Sequence, residues 1–275
     1  MGNTTPPRML YNDYGDARLG ASVLACQATA DPLYPFANVI NRDRHVIAAL
    51  LSPPNPCNLD IALATNYDIY GVGFCNLFPV SGTALVQAGV DVYAASNAAF
   101  TQDLQLVQSV SQFGFIGASS ASSPKTYGVL FTGAYNSKYW RFQFKGWPSF
   151  YAGRLALFGA AYDMPAAGKG ARAGSSYALV TPRNRGRALG GGPIIEDIGA
   201  QRQRFTLRFR GTDEDIRNQV EQLAQQRRPW MHTDHDAQWF HVEMTETGDE
   251  QEFEQVGVGY PNVWETTVET EQLAP

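Results

Sequence analysis

The chain is organised around residues 58–93, which read NLDIALATNYDIYGVGFCNLFPVSGTALVQAGVDVY. Apolar residues alternate with polar or small ones over 59–63, which is typical of a strand with one buried face. An apolar run over 69–74 and an apolar group over 85–92 indicate two more strands. We therefore expect three short strands of one sheet here.

The loop between the second and third of these strands is polar at its ends and apolar in the middle. It carries no nucleophile, general base or metal-binding group. We therefore expect it to contact a ligand or a partner protein, through Asn76, Leu77, Phe78 and Ser81.

The composition favours a mainly β protein. The chain has 275 residues, enough for one large or two ordinary domains, with 44% hydrophobic and 17% charged residues. Abundant aromatic residues, glycine and proline are typical of many short strands joined by turns. The net charge of −5 argues against nucleic acid as a partner, because nucleic-acid binders carry a basic surplus.

Membrane insertion is not expected, because no apolar run reaches the roughly 18 residues that a membrane helix needs. The three cysteines, Cys26, Cys57 and Cys75, are an odd number without CxxC spacing, so we expect small, buried, reduced side chains. A Cys57–Cys75 bridge between neighbouring strands is the less favoured alternative.

The order of strand, helix and linker signals along the sequence divides the chain into four segments. Residues 1–20 are expected to be an irregular arm, and residues 21–164 a β-rich domain with clear strands at 139–144 and 153–159. A Pro/Ala/Gly/Lys stretch at 165–174 is expected to be a linker. Residues 175–275 are expected to form a smaller β-rich domain with one helix near 213–226 packed on a sheet.

The second half of the chain separates its charges along the sequence. Residues 172–228 contain eleven Arg against six acidic residues, whereas residues 232–275 contain eleven acidic residues and no Lys or Arg. Either the blocks neutralise each other across paired strands, or one block faces a partner of opposite sign. The residues expected at such an interface are Arg183, Arg185, Arg187, Arg204, Arg208 and Arg210.

No group of residues predicts catalysis. His232, Asp234, His235 and the nearby His241 are of the types that bind zinc, but no second ligand group has recognisable spacing, so a solvated loop is expected. Asp60 and Asp68 are interpreted as turn or edge residues. We therefore predict a non-enzymatic protein without catalytic residues, cofactor or metal; a glycosidase or metal-dependent hydrolase is the remote alternative.

Two parts of the chain resemble a known family. The segment GVGFCNLFPVSGTALV at 71–86 resembles discoidin-like (galactose-binding-like) β-sandwich domains of tailed-phage virion proteins, with Cys75 standing where His is common. The strands at 139–144 and 153–159 look like the closing strand pair of the same fold. The resemblance covers roughly residues 20–162 and implies an N-terminal jelly-roll β-sandwich. The second region is similar in element order to small β-rich modules of phage tails and baseplates.

This resemblance implies a structural component of a phage tail, at the tail tip, baseplate or fibre attachment region. Its partners would be other tail proteins, in a homo-oligomer or multi-copy assembly located in the virion after synthesis in the host cytoplasm. The alternative is a carbohydrate-binding module used in host adsorption, with a host glycan as partner. That alternative places aromatic residues at exposed loop tips, such as Tyr67, Tyr70, Phe78 and Trp147.

Overall fold

The fold was analysed in a computed structural model. It describes residues 8–41, 46–80, 88–110, 126–163, 176–180, 183–187, 193–197, 202–211, 217–218, 221–222, 230–233, 238–244, 254–255 and 264–272. The chain forms two compact units, one of residues 10–161 and one of residues 1–9 with 162–275. Strands dominate both, which confirms the mainly β class.

The first unit contains two antiparallel sheets. The larger has the strand order β1-β11-β5-β9-β7-β8, with β2 also paired to β5, and the smaller has the order β3-β4-β10-β6. Two short 3₁₀ helices, Ala17–Leu19 and Phe36–Ile40, precede β2 and β4. The strands are β1 Arg8–Asp13, β2 Ser22–Cys26, β3 Thr29–Ala30, β4 Ala48–Leu51, β5 Cys57–Cys75, β6 Phe78–Pro79, β7 Gly89–Ala95, β8 Gln105–Val110, β9 Thr126–Lys145, β10 Phe150–Ala152 and β11 Arg154–Asp163.

The opening stretch forms the centre of the larger sheet. Two of its three expected strands are one 19-residue strand, β5, with pairing irregularities between Ala62 and Tyr67 and between Ile69 and Gly71. The strand continues because the 20-residue β9 pairs with it on both sides of these irregularities. The third strand is β7, and residues 81–87 lie outside the described residues.

The two strands expected to close the sandwich flank β5 instead of pairing with each other. Trp140 of β9 is opposite Ile61, and Leu157 of β11 is opposite Val72. The central position that was predicted for residues 58–93 is therefore confirmed.

The core lies between the two sheets. Alternate residues of β9, Trp140, Phe142 and Phe144, are fully buried. The ring centroid of Phe144 lies 4.9 Å from that of Phe150 on the smaller sheet, and the ring centroid of Trp147 lies 4.7 Å from that of Phe150. Burial of each such side chain contributes about 2–3 kcal/mol. These contacts across the sheets confirm the expected β-sandwich.

In the second unit, one sheet has the order β12-β15-β19-β17-β16 with β18 also paired to β19, and β13 pairs with β14. The helical residues described, 217–218 and 221–222, fall within the expected helix, and the expected linker lies outside the described residues. The strands are β12 Ser176–Val180, β13 Arg183–Arg187, β14 Pro193–Asp197, β15 Arg202–Gly211, β16 Trp230–Thr233, β17 Gln238–Met244, β18 Glu254–Gln255 and β19 Trp264–Gln272.

Cys26, Cys57 and Cys75 are all reduced thiols, outside any disulfide. Cys57 and Cys75 stand at opposite ends of β5, so the alternative of a bridge between them is wrong. Among the described residues, no helix is long and apolar enough to cross a membrane.

Candidate functional site

Three aromatic rings lie side by side on the outer surface of the smaller sheet. Phe150 and Ala152 of β10 are fully buried, so the intervening Tyr151 points away from the core. Its partner across the sheet on β6 is Phe78, and the two ring centroids are 5.1 Å apart. The ring centroids of Tyr34 and Tyr151 are 5.7 Å apart, and the two rings are arranged edge to face. We call Tyr34, Phe78 and Tyr151 the aromatic face.

A tight turn holds Tyr34 in this position. The Asp31 side chain accepts a hydrogen bond from the Leu33 amide at 2.9 Å, and its carbonyl accepts one from the Tyr34 amide at 3.0 Å. Prolines 32 and 35 restrict the backbone on both sides. The Tyr34 carbonyl then accepts a hydrogen bond from the Ala49 amide of β4 at 2.9 Å. The turn is thereby fixed to the sheet.

The aromatic face is open to solvent at its margins. Tyr34 is 36% exposed, and Phe78 and Tyr151 are half-buried. Leu33, beside the face, is 81% exposed. Ala49 lies opposite Tyr151 on β4, and its neighbours Ala48 and Leu50 pack in the core. Ala49 therefore faces the outer side of the smaller sheet, yet it is fully buried there. The rings thus cover the sheet and present a partly apolar surface, the kind that marks interaction sites.

The predicted contact loop is only partly at the surface. Asn76 and Leu77 are buried, which removes them from direct contact with a ligand or partner. Phe78 is half-exposed and belongs to the aromatic face. Ser81 lies outside the described residues.

The other aromatic residues expected at loop tips have different environments. Trp147 is buried in the core and donates its indole N–H to the Gly89 carbonyl at 3.0 Å, so its expected exposure is wrong. The Tyr67 ring stacks on Tyr14 with centroids 3.9 Å apart. Tyr70 is 39% exposed on β5, away from the smaller sheet.

The outer face of the larger sheet is polar and carries ion pairs. The Arg141 guanidinium donates to both carboxylate oxygens of Asp60 at 2.7 and 2.8 Å and lies 4.2 Å from the Phe100 ring centroid. The hydrogen bonds to Asp60 raise the pKa of Arg141. Asp91 pairs with Lys145 further along the face. We interpret these pairs as structural.

The two aspartates that were interpreted as turn or edge residues differ. Asp60 is buried in the interior of β5, so that interpretation is wrong for it. Asp68 is exposed and accepts a hydrogen bond from the Asn136 side chain at 2.8 Å.

The predicted arginine interface lies on two strands of the second unit. Arg183, Arg185 and Arg187 are on β13, and the others are on β15. The strand register puts Arg204 opposite Glu271 and Arg210 opposite Glu265. The basic and acidic blocks therefore meet across paired strands, which favours neutralisation within the unit.

The histidine cluster is divided between strands and undescribed residues. His232 is on β16 and His241 on β17, in paired strands, whereas Asp234 and His235 lie outside the described residues. Within the part of the chain that is described, no three His, Cys, Asp or Glu residues are grouped to hold a metal.

No protein-family model matches the chain, and no curated protein matches it in sequence. Among solved structures, the chain is similar to a family 32 carbohydrate-binding module from Clostridium perfringens NanJ in complex with galactose. The identity is 11%, the match covers 50% of this chain and 93% of that one, and the TM-score is 0.37.

A family 32 carbohydrate-binding module from Streptococcus pneumoniae EndoD matches at 10% identity, over 54% of this chain and 100% of that one, with a TM-score of 0.39. The module of AlyQ in complex with 4,5-unsaturated mannuronic acid matches at 17% identity, over 55% and 100%, with a TM-score of 0.37. At these scores we draw no functional conclusion from the similarity. The phage-tail expectation stays a prediction that none of these structures supports.

Proposed function

We propose that this chain is a non-enzymatic carbohydrate-binding protein and that the aromatic face is its binding surface. The observation that carries the proposal is the row of three rings, Tyr34, Tyr151 and Phe78, held side by side across the smaller sheet. The C–H groups on one face of a pyranose ring form an apolar surface that packs on aromatic rings. A row of rings offers such contacts to successive parts of a glycan.

The chemistry of the row suits a sugar better than a purely apolar ligand. Two of the three rings are tyrosines, which combine an apolar body with a hydroxyl that can hydrogen-bond to sugar hydroxyls. The Asp31 carboxylate lies in the turn that positions Tyr34 and is only partly buried. Such a site needs few polar groups to orient a ligand.

The rigidity of the face favours binding. Tyr151 is on the central strand of β4-β10-β6, and the backbone of Tyr34 is hydrogen-bonded to β4. Side chains that are already ordered lose little conformational entropy when a ligand binds. The surface is therefore preorganised for ligand binding.

Assembly into a phage tail through protein contacts is the competing function. It would use the same exposed rings as a contact for a neighbouring subunit, and it predicts that no glycan binds the isolated chain. It also predicts that mass spectrometry of purified virions detects this chain.

The experiment is a glycan array probed with the full chain, followed by calorimetric titration of the best ligand. Galactose and 4,5-unsaturated mannuronic acid, bound in two of the similar structures, are the first single ligands to titrate. Tyr151→Ala should weaken binding at least tenfold, about 1.4 kcal/mol, because it removes the central ring. Tyr151→Phe keeps the ring and should lose less.

Tyr70→Ala is the matched control, because Tyr70 is also a tyrosine on a strand of the first unit, is 39% exposed, and lies outside the aromatic face. Circular dichroism of each variant separates a binding defect from misfolding. An array without any bound glycan, or equal losses for Tyr70→Ala and Tyr151→Ala, would contradict the proposal.

A further inference from the structure

The strands β13 and β14 form a two-stranded hairpin beside the larger sheet order of the second unit. β13 reads RNRGR, so every second residue is an arginine. Alternate residues of a strand share a face, which places all three arginines on one face of the hairpin, about 6.8 Å apart along the strand. We call Arg183, Arg185 and Arg187 the arginine row.

The hairpin supplies little negative charge to the arginine row. Residues directly opposite each other in an antiparallel pair share a face. The register places Arg183 opposite Asp197, whereas the other two arginines are opposite Ile195 and Pro193. That face of the hairpin therefore holds three arginines and one aspartate, which leaves a surplus of positive charge.

The other arginine strand of this unit has a full set of acidic residues opposite it. Over its pairing with β19, one face of β15 carries Arg204, Arg208 and Arg210. β19 places three glutamates on the same face, namely Glu265, Glu269 and Glu271. The two strands thus balance their charges, three against three. A strand with carboxylates at alternate positions is therefore the kind of neighbour that an arginine strand of this chain already has.

We propose that β13 takes up an extended acidic segment of a partner protein as a third strand of the hairpin, with carboxylates at alternate positions opposite the arginine row. Within the described residues, β14 is the strand that pairs with β13, so the other edge of β13 offers backbone donors and acceptors. Cross-strand pairs of opposite charge stabilise such an addition. A long polyanion such as a nucleic acid fits less well, because the net charge of −5 on the chain repels it beyond the row.

The test measures the fluorescence anisotropy of labelled peptides titrated with the full chain. The peptide TETETET should bind saturably and roughly tenfold more tightly than TQTQTQT, because its three carboxylates meet the three arginines. Raising the salt from about 50 mM to about 500 mM should weaken its binding, because exposed ion pairs are screened. The peptide PEPEPEP keeps the charges but lacks the backbone donors of a strand, so it should lose most of the affinity.

Variants assign the binding to the arginine row. Arg185→Gln should weaken TETETET binding roughly threefold, and replacing all three arginines of the row by glutamine should reduce it to the level of TQTQTQT. Arg217→Gln is the matched control and should bind like the parent chain, because Arg217 is in the same unit, has a side chain that is 47% exposed, and lies outside the hairpin.

The peptide comparisons use the parent chain, so they decide the proposal even where a variant fails to fold. Absence of saturable TETETET binding up to about 1 mM chain would overturn the proposal. Equal binding of PEPEPEP and TETETET would overturn strand addition, and equal losses for Arg217→Gln and Arg185→Gln would remove the row from the site. Tighter binding of single-stranded DNA than of TETETET would assign the row to a polyanion instead.

Discussion

Removing Arg141 should destabilise the sandwich mainly by leaving the Asp60 carboxylate without its partner. The side chains are only 20% and 10% exposed, and the guanidinium makes two hydrogen bonds of 2.7 and 2.8 Å to the carboxylate. Breaking a buried ion pair by removing one partner costs about 3–5 kcal/mol. Residual exposure of the pair lowers this cost, and loss of the Phe100 contact adds to it. We expect Arg141→Met to lose about 3 kcal/mol of unfolding free energy.

The double variant Asp60→Leu with Arg141→Met should recover most of that loss, because an apolar pair of similar volume leaves no buried charge. Urea denaturation of the full chain, followed by circular dichroism, measures both effects. Lys138→Met is the control on the same strand, since the contact of Lys138 within the described part of the chain is a distant one, 5.8 Å from its Nζ to the Tyr139 ring centroid. Additive losses in the double variant, or a loss below about 0.5 kcal/mol for Arg141→Met, would contradict this prediction.

Two further predictions concern the first unit. Gly71→Ala should cost about 2 kcal/mol of unfolding free energy, because a Cβ at this position would lie 2.6 Å from the Val129 carbonyl oxygen. Gly133→Ala is the control and should change the unfolding free energy by less than about 0.5 kcal/mol, because a Cβ there would have nothing within 4 Å. Equal urea midpoints for the two variants would contradict this prediction. Burial acts to raise the pKa of Asp16, but hydrogen bonds from Arg18 and the charges of Arg154 and Arg18 together outweigh it and leave that pKa lowered. Its stabilisation is therefore complete above the unfolded-state pKa and is lost as the pH falls. The stability difference between the parent chain and Asp16→Asn should shrink as the pH falls below about 5 and through the lowered folded-state pKa in urea titrations, and a constant difference would contradict the assignment.

The alternation of residues at 139–144 was sufficient to predict which side chains of β9 face the core. Trp140, Phe142 and Phe144 are buried and Arg141 is on the other side, as a period of two requires. The continuity of β5 was not predictable in this way. Its residues 64–66 are exposed and interrupt the apolar pattern, although the strand keeps its partner β9 across the interruption.

The candidate site was predictable only in part. Phe78 was expected in a contact loop and belongs to the aromatic face, but Asn76 and Leu77 are buried beside it. Tyr34 and Tyr151 were not identified, because only tertiary pairing brings these distant segments together. The alternation in Phe150–Ala152 and the proline-flanked turn before β4 were the available signals, and neither specifies its partner.

The most direct test of glycan binding at the aromatic face is an NMR titration of the full chain with the best ligand from the array. If the glycan binds there, ring signals of Tyr34, Phe78 and Tyr151 shift together and saturate at the calorimetric Kd, while those of Tyr70 stay in place. Saturable shifts confined to other parts of the chain, with the three rings unchanged, would contradict it.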